Sequence, residues 1–212
     1  AFIAAASHEL RSPLTVIQTS LSAVSYADPE QTEHFISISL DECKRMSRLV
    51  QDMLSLSRSD NHTWVLDCTS CEIDTLLLDV YEKYEQTARH KKKQLLIELP
   101  EDSLPFCFCD SLKISQALAI LIDNALAYVP EGGMIRLSAR QEAASVSLFV
   151  ADNGPGIPDS EKEAVFQRFY RSDTSRNDKQ HFGLGLCIAK EIALLHHGTL
   201  SVSDTPGGGA TF

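Results

Sequence analysis

The sequence predicts an α+β protein in two parts, a helical hairpin followed by an α/β sandwich. Apolar residues recur three and four apart up to about Ser59, the mark of amphipathic helices. From about Trp64 onward, helical stretches are interleaved with short runs of alternating apolar residues, the mark of strands. Between the two lies the polar run 57–62, which breaks the helical period and reads as a hinge. The expected boundaries are 1–62 for the hairpin and 63–212 for the second domain. With 212 residues, 43% of them apolar, the chain has material for one large domain or two small ones.

The first helix carries Ile3, Leu10, Leu14, Ile17, Leu21 and Val24, a coiled-coil seam. Tyr26-Ala27-Asp28-Pro29 ends it, with Asp28 placed to cap a second helix and Pro29 at its first position. That second helix bears two neighbouring apolar stripes, Ile36/Leu40/Cys43/Val50/Leu54 and Met46/Leu49/Met53/Leu56. The combined face is wider than one partner helix covers, which predicts a homodimeric four-helix bundle. In the second domain, strands are expected at Trp64–Cys68, Leu95–Leu99 and Phe106–Cys109, and helices from about Asp74 to His90 and through Ile114 to Tyr128. Ile135/Leu137/Ala139 and Val146/Leu148/Val150 alternate as a hairpin. A last helix from about Gly185 to His197 is expected to stop at Gly198 in a left-handed cap, before two strands around Pro206–Gly209.

A net charge of −10 argues against nucleic acid as a partner, because phosphate backbones are held by clustered Lys and Arg. No stretch approaches the ~20 apolar residues of a membrane span, so these residues read as soluble. The six cysteines fit reduced thiols. Cys68-x-x-Cys71 and Cys107-x-Cys109 admit two readings: a four-thiolate zinc site, or small apolar residues on a short buried strand whose other face is Phe106 and Phe108.

His8 lies two positions before Leu10 and so points away from the seam, presented rather than packed. Neutral imidazole is a competent nucleophile, Glu9 can orient it or accept its proton, and Ser12 stacks one turn on. The string Ser7-His8-Glu9-Leu10-Arg11-Ser12-Pro13-Leu14 closely resembles the phosphoacceptor box of sensor histidine kinases. Further boxes of that family follow in order. Asp123-Asn124-Ala125 is similar to the asparagine box, and Asp152-Asn153-Gly154-Pro155-Gly156-Ile157 to the DxGxGI box. Phe166–Arg171 resembles the phenylalanine box, Gly183-Leu184-Gly185-Leu186 the second glycine box, and Gly207–Phe212 the last.

The resemblance implies a phosphotransfer hairpin joined to an ATP-binding domain of the Bergerat, or GHKL, type. His8 would take the γ-phosphoryl group of ATP and pass it to an aspartate of a response-regulator receiver domain, with Ser12 aligning water for dephosphorylation of the regulator. Asp152 can accept a hydrogen bond from the adenine amine, where the O6 of guanine would be repelled. Gly154 and Gly156 let the backbone approach the base, and Tyr128 would line the pocket. Gly183, Leu184 and Gly185 open a helix whose amides suit phosphate. Arg171 would reach the terminal phosphate, residues 172–182 would form a lid, and Asn124 offers Mg²⁺ an oxygen ligand.

Three positions depart from the family pattern: Ile120 in place of a second Asn, Ala127 in place of a basic residue, and His181 in place of a glycine. Asp123 is a candidate substitute for the missing Asn. These departures leave a second reading open, a kinase-impaired member acting mainly as a regulator phosphatase or dimeric scaffold. A chain that starts inside a helix reads as part of a longer protein. By resemblance, a membrane-spanning sensor would lie upstream, with this portion in the bacterial cytoplasm.

Overall fold

A computed structural model describes residues 2–61, 63–171 and 182–212. By their contacts the residues form two compact units, Ala1–Trp64 with Arg168–Leu184, and Val65–Gln167 with Gly185–Phe212. Among the described residues, no helix is long and apolar enough to cross a membrane.

In the first unit, α1 (Phe2–Val24) and α2 (Pro29–Asp60) pack as a hairpin. The turn between them follows the sequence expectation. Asp28 accepts a hydrogen bond from the Gln31 N–H at 2.8 Å and Pro29 takes the first helical position, where a missing N–H costs nothing. The two stripes of α2 separate. Leu49 and Leu56 are fully buried, whereas Ile36, Leu40, Val50 and Leu54 are exposed, as are Leu14 and Leu21 of α1. Ser57–Asp60, read as part of a hinge, is instead the last turn of α2, capped by Asn61, whose amide donates to the Ser57 carbonyl. Arg168 donates to both carboxylate oxygens of Asp60, at 2.7 and 2.5 Å, and the Arg45 guanidinium lies 4.4 Å from the Phe182 ring centre.

The second unit holds β1 (Thr69–Glu72), α3 (Ile73–His90), β2 (Gln94–Glu98), β3 (Phe106–Cys109), α4 (Ser111–Tyr128), β4 (Met134–Gln141) and β5 (Val146–Asp152). A 3₁₀ turn (Ala164–Phe166), α5 (Gly185–Leu195), β6 (Ser203–Asp204) and β7 (Ala210–Thr211) complete it. Five strands form one sheet in the order β2-β4-β5-β7-β6, parallel only between β2 and β4, while β1 and β3 pair antiparallel as a separate ribbon. Helix α4 packs against β4, β5 and the two other helices, and the core gathers Ile122, Leu126, Ile135, Leu137 and Val150.

Two local expectations are corrected. The first strand is Thr69–Glu72 rather than Trp64–Cys68, because pairing with β3 fixes it: Cys71 lies opposite Cys107 and Thr69 opposite Cys109, and Val65 stays exposed. At the end of α5 the left-handed residue is His197, with φ 57°, not Gly198. Gly198 sits one position later, donating its N–H to the Ala193 carbonyl at 2.8 Å, the second half of a Schellman motif.

Candidate nucleotide and phosphoacceptor sites

Helix α4 is anchored at both ends. Asp110 caps its start, with Oδ1 accepting from the Lys113 N–H and Oδ2 from the Asp67 N–H, both at 3.1 Å. The Asp110 N–H donates to His196 Nε2 at 3.0 Å. At the far end Lys93 Nζ donates to the Leu126 carbonyl at 2.7 Å, and burial, then the charge of Lys91, holds the Lys93 ammonium below its ordinary pKa. Between these anchors Ile120, Asn124 and Tyr128, four apart, share one face. Asn124 is half-buried and Tyr128 exposed.

Asp152 ends β5 on the side that Val150 also faces, since strand side chains alternate, and it is buried. Burial pushes its carboxyl above the ordinary carboxylate pKa, against the pull of two backbone amides. Those amides, Gly154 N–H at 2.8 Å and Ala210 N–H at 3.2 Å, both donate to Oδ1. Among the described residues no donor takes Oδ2, so the carboxylate is fixed by one oxygen and offers the other. A carboxylate oxygen held this way is an acceptor that suits a hydrogen-bond donor.

The glycines around Asp152 act first on the protein's own atoms. A Cβ on Gly154 would lie 2.9 Å from Asp152 Oδ1, one on Gly156 3.2 Å from the Gly209 carbonyl oxygen, and one on Gly209, with φ 108°, 1.9 Å from the Asp152 carbonyl oxygen. The expectation that Gly154 and Gly156 merely clear room for a base is therefore extended. They let two loops close against each other and hold the carboxylate. Gly209 and Ala210 were missed as site residues; the run Gly207-Gly208-Gly209 was the available signal. Asn153 was missed too: its Oδ1 accepts from the Met134 N–H at 2.7 Å and its own N–H donates to the Met134 carbonyl, tying the loop to β4.

Asp123, the candidate substitute for the missing Asn, has a partner of its own on α3. It is exposed, and its Oδ2 accepts the Tyr84 hydroxyl of α3 at 3.1 Å; burial first, and then the Asp123 charge and this hydrogen bond, raise the tyrosine pKa. Ile120 is half-buried and its Cγ2 lies 3.1 Å from where a Gly185 Cβ would stand, so the start of α5 sits tightly on α4. Gly183 and Leu184 group with the first unit. Gly183 has φ 70° and faces the Tyr170 carbonyl oxygen, 2.5 Å from a would-be Cβ, while Leu184 is fully buried. Arg171 is half-buried. Residues 172–181, including His181, lie outside the described residues.

On α1, His8 and Ser12 are both exposed, one turn apart, and Glu9 is half-buried. Pro13 stands inside the helix and brings no N–H to the Glu9 carbonyl, which leaves that oxygen without its usual helical donor. Among the described residues no group of His, Cys, Asp and Glu is arranged to hold a metal ion. The side-chain oxygen of Asn124 is a hard donor of the kind magnesium takes.

The His Kinase A (phospho-acceptor) domain profile matches residues 1–62, and the profile for histidine kinase-, DNA gyrase B- and HSP90-like ATPases matches 109–212. The chain belongs to the sensor histidine kinase family. Its likeness to the sensor histidine kinase WalK of Bacillus subtilis is 35% identity over 99% of this chain and 35% of that protein. The adaptive-response sensory kinase SasA of Crocosphaera subtropica is 31% identical over 99% of this chain and 57% of its own length. The chain thus spans about a third to just over half of such relatives. Among solved structures, the Acinetobacter baumannii histidine kinase AdeS superposes with a TM-score of 0.77 at 26% identity, covering 97% of this chain and 94% of that one. Full-length ShkA in complex with AMPPNP superposes at 0.75 and 25% identity, covering 97% and 43%. A phosphoacceptor hairpin followed by a GHKL-type ATPase fold is what this histidine kinase core comprises.

Proposed function

We propose that this core phosphorylates His8 from ATP and passes the phosphoryl group to an aspartate on the receiver domain of a response regulator. Nε2 of His8 attacks the γ-phosphorus. An N–P bond forms, the bond to the bridging oxygen of ADP breaks, and the imidazole proton leaves to Glu9 or water. Asp152 Oδ2 accepts the adenine amine while Tyr128 lines the base, and Asn124 holds the metal through its side-chain oxygen. Magnesium, when bound with the nucleotide, neutralises charge on the phosphates. Gly183, Leu184 and Gly185 present backbone amides to the phosphates, and Arg171 meets the terminal one. Ser12, exposed beside His8, aligns water when the same site dephosphorylates the regulator. The AMPPNP bound by ShkA supports ATP as the nucleotide.

The observation that carries this reading is the Asp152 carboxylate, locked through Oδ1 by two backbone amides with Oδ2 left to a ligand. Incubation with γ-labelled ATP and Mg²⁺ tests it: an acid-labile, base-stable label is expected, reduced at least tenfold with GTP and absent in His8→Gln. Equal labelling from GTP contradicts the role of Asp152.

Homodimerisation is part of the proposal. The exposed residues Leu14, Leu21, Ile36, Leu40, Val50 and Leu54 supply the apolar surface that a second hairpin covers, making a four-helix bundle. In the whole protein this core is placed on the cytoplasmic side of a membrane sensor.

One observation favours the second reading, an impaired kinase serving mainly as phosphatase or scaffold. Asp123 accepts a hydrogen bond from Tyr84, and Ile120, one turn before Asn124 on the same face of α4, offers no ligand atom. Nucleotide binding with no label on His8, alongside loss of phosphoryl group from a phosphorylated receiver, is the result that selects it.

A further inference from the structure

The β1–β3 ribbon carries thiols that the kinase reading does not use. Antiparallel pairing sets Cys71 directly opposite Cys107 and Thr69 opposite Cys109, so Cys71, Cys107 and Cys109 share one face. That face is the inner one. Cys109 is in the core with Cys71 and Cys107 packed against it, while Phe106 and Phe108, on the other face, are 67% and 77% exposed. The strand is therefore buried on its cysteine side only. All three thiols are free.

From this geometry we propose that Cys71 and Cys107 form a reversible cross-strand disulfide when the protein meets a hydroperoxide. Residues directly opposite on antiparallel strands hold their Cβ atoms about 4.5–5.5 Å apart, against about 3.5–4.5 Å in a disulfide, so closure needs a shift of about 1 Å. The diagonal partner Cys109 starts from a Cβ separation nearer 7 Å, beyond the reach of a disulfide without a much larger shift. Burial first, and then Cys71, pushes the Cys109 thiol up to about 12. Cys109 thus keeps its proton and is the poorer nucleophile of the three thiols.

The chemistry balances in two steps. The Cys71 sulfur attacks one peroxide oxygen, the O–O bond breaks, and a sulfenic acid forms as water or an alcohol leaves with the thiol proton. The Cys107 sulfur then displaces that hydroxyl from Cys71, forming the S–S bond and releasing water. Two electrons pass from the thiols to the peroxide. The bond joins β1 to the strand that leads, through Asp110, into the nucleotide-binding helix α4.

Hydrogen peroxide applied to the whole chain, followed by mass spectrometry of the intact and protease-cut protein, tests this. The expected result is loss of two hydrogens per chain, with the peptides holding Cys71 and Cys107 joined, and full reversal by dithiothreitol. Cys71→Ser abolishes the link and Cys68→Ser leaves it. A link through Cys43, Cys68 or Cys109, a link between chains, or no mass change overturns the proposal. The peptide map of the unsubstituted protein decides the matter even where a variant fails to fold.

Discussion

The two units solve the burial problem differently. The sheet unit covers its own core: Ile122, Leu126, Ile135, Leu137 and Val150 are shielded within one chain. The hairpin buries Leu49 and Leu56 and leaves a second stripe, Ile36, Leu40, Val50 and Leu54, in the open. The sheet unit closes its core on itself, whereas the hairpin keeps open the stripe that the proposed function assigns to a second copy. The difference teaches that apolar residues at helical spacing divide into stripes, one packed within the hairpin and one left exposed.

Breaking the sheet unit from within is the severest test of its self-sufficiency. Gly209→Ala forces a methyl group to 1.9 Å from the Asp152 carbonyl oxygen, at φ 108°. The expected cost is over about 3 kcal/mol, read as a collapse of the thermal midpoint and of nucleotide binding. A Gly209→Ala protein with the parent's melting curve contradicts the close approach. At the hairpin, a Leu40→Glu/Leu54→Glu double variant is expected to run as a monomer by light scattering while keeping the parent's ATP affinity. Loss of both together dissolves the distinction between the units.

Asp152→Asn replaces one acceptor of a fixed carboxylate with an amide. ATP affinity is expected to fall about tenfold to a hundredfold in calorimetry, the cost of one hydrogen bond to a charged acceptor. A smaller effect is expected at Asp52, whose pKa burial raises from 3.8 to about 6 against the opposing charge of Arg48. The native state then holds more protons than the unfolded chain between about pH 4 and 6, so stability present at low pH is lost as pH rises through that window. Asp52→Asn is expected to stabilise the hairpin by roughly 1–2 kcal/mol at pH 8 and by nothing at pH 4 in denaturant titrations. A pH-independent difference refutes that burial effect.

Legibility in the sequence followed how local the physics is. Asp28-Pro29 announced a cap and a helix start that need no tertiary partner, and both are present. The strand β1 was misplaced because Thr-Ser-Cys-Glu carries no apolar alternation, whereas Trp64-Val65-Leu66 looks more strand-like; only the pairing with β3 decides. His197 was overlooked as the left-handed residue because glycine is the usual signal and the next residue is one. The family boxes marked Asp152, but the amides of Gly154 and Ala210 converge on it from segments over fifty residues apart, a proximity that spacing does not encode. The Tyr84 hydroxyl on Asp123 was illegible for the same reason, since the two lie 39 residues apart.

The proposed phosphorylation comes down to one covalent bond. After incubation with Mg²⁺ and ATP at neutral pH, mass spectrometry of the whole chain should place a single phosphoryl group on the peptide containing His8, and the Asp152→Asn protein should carry at least tenfold less. A phosphoryl group on another residue, or undiminished labelling without the Asp152 carboxylate, contradicts the account.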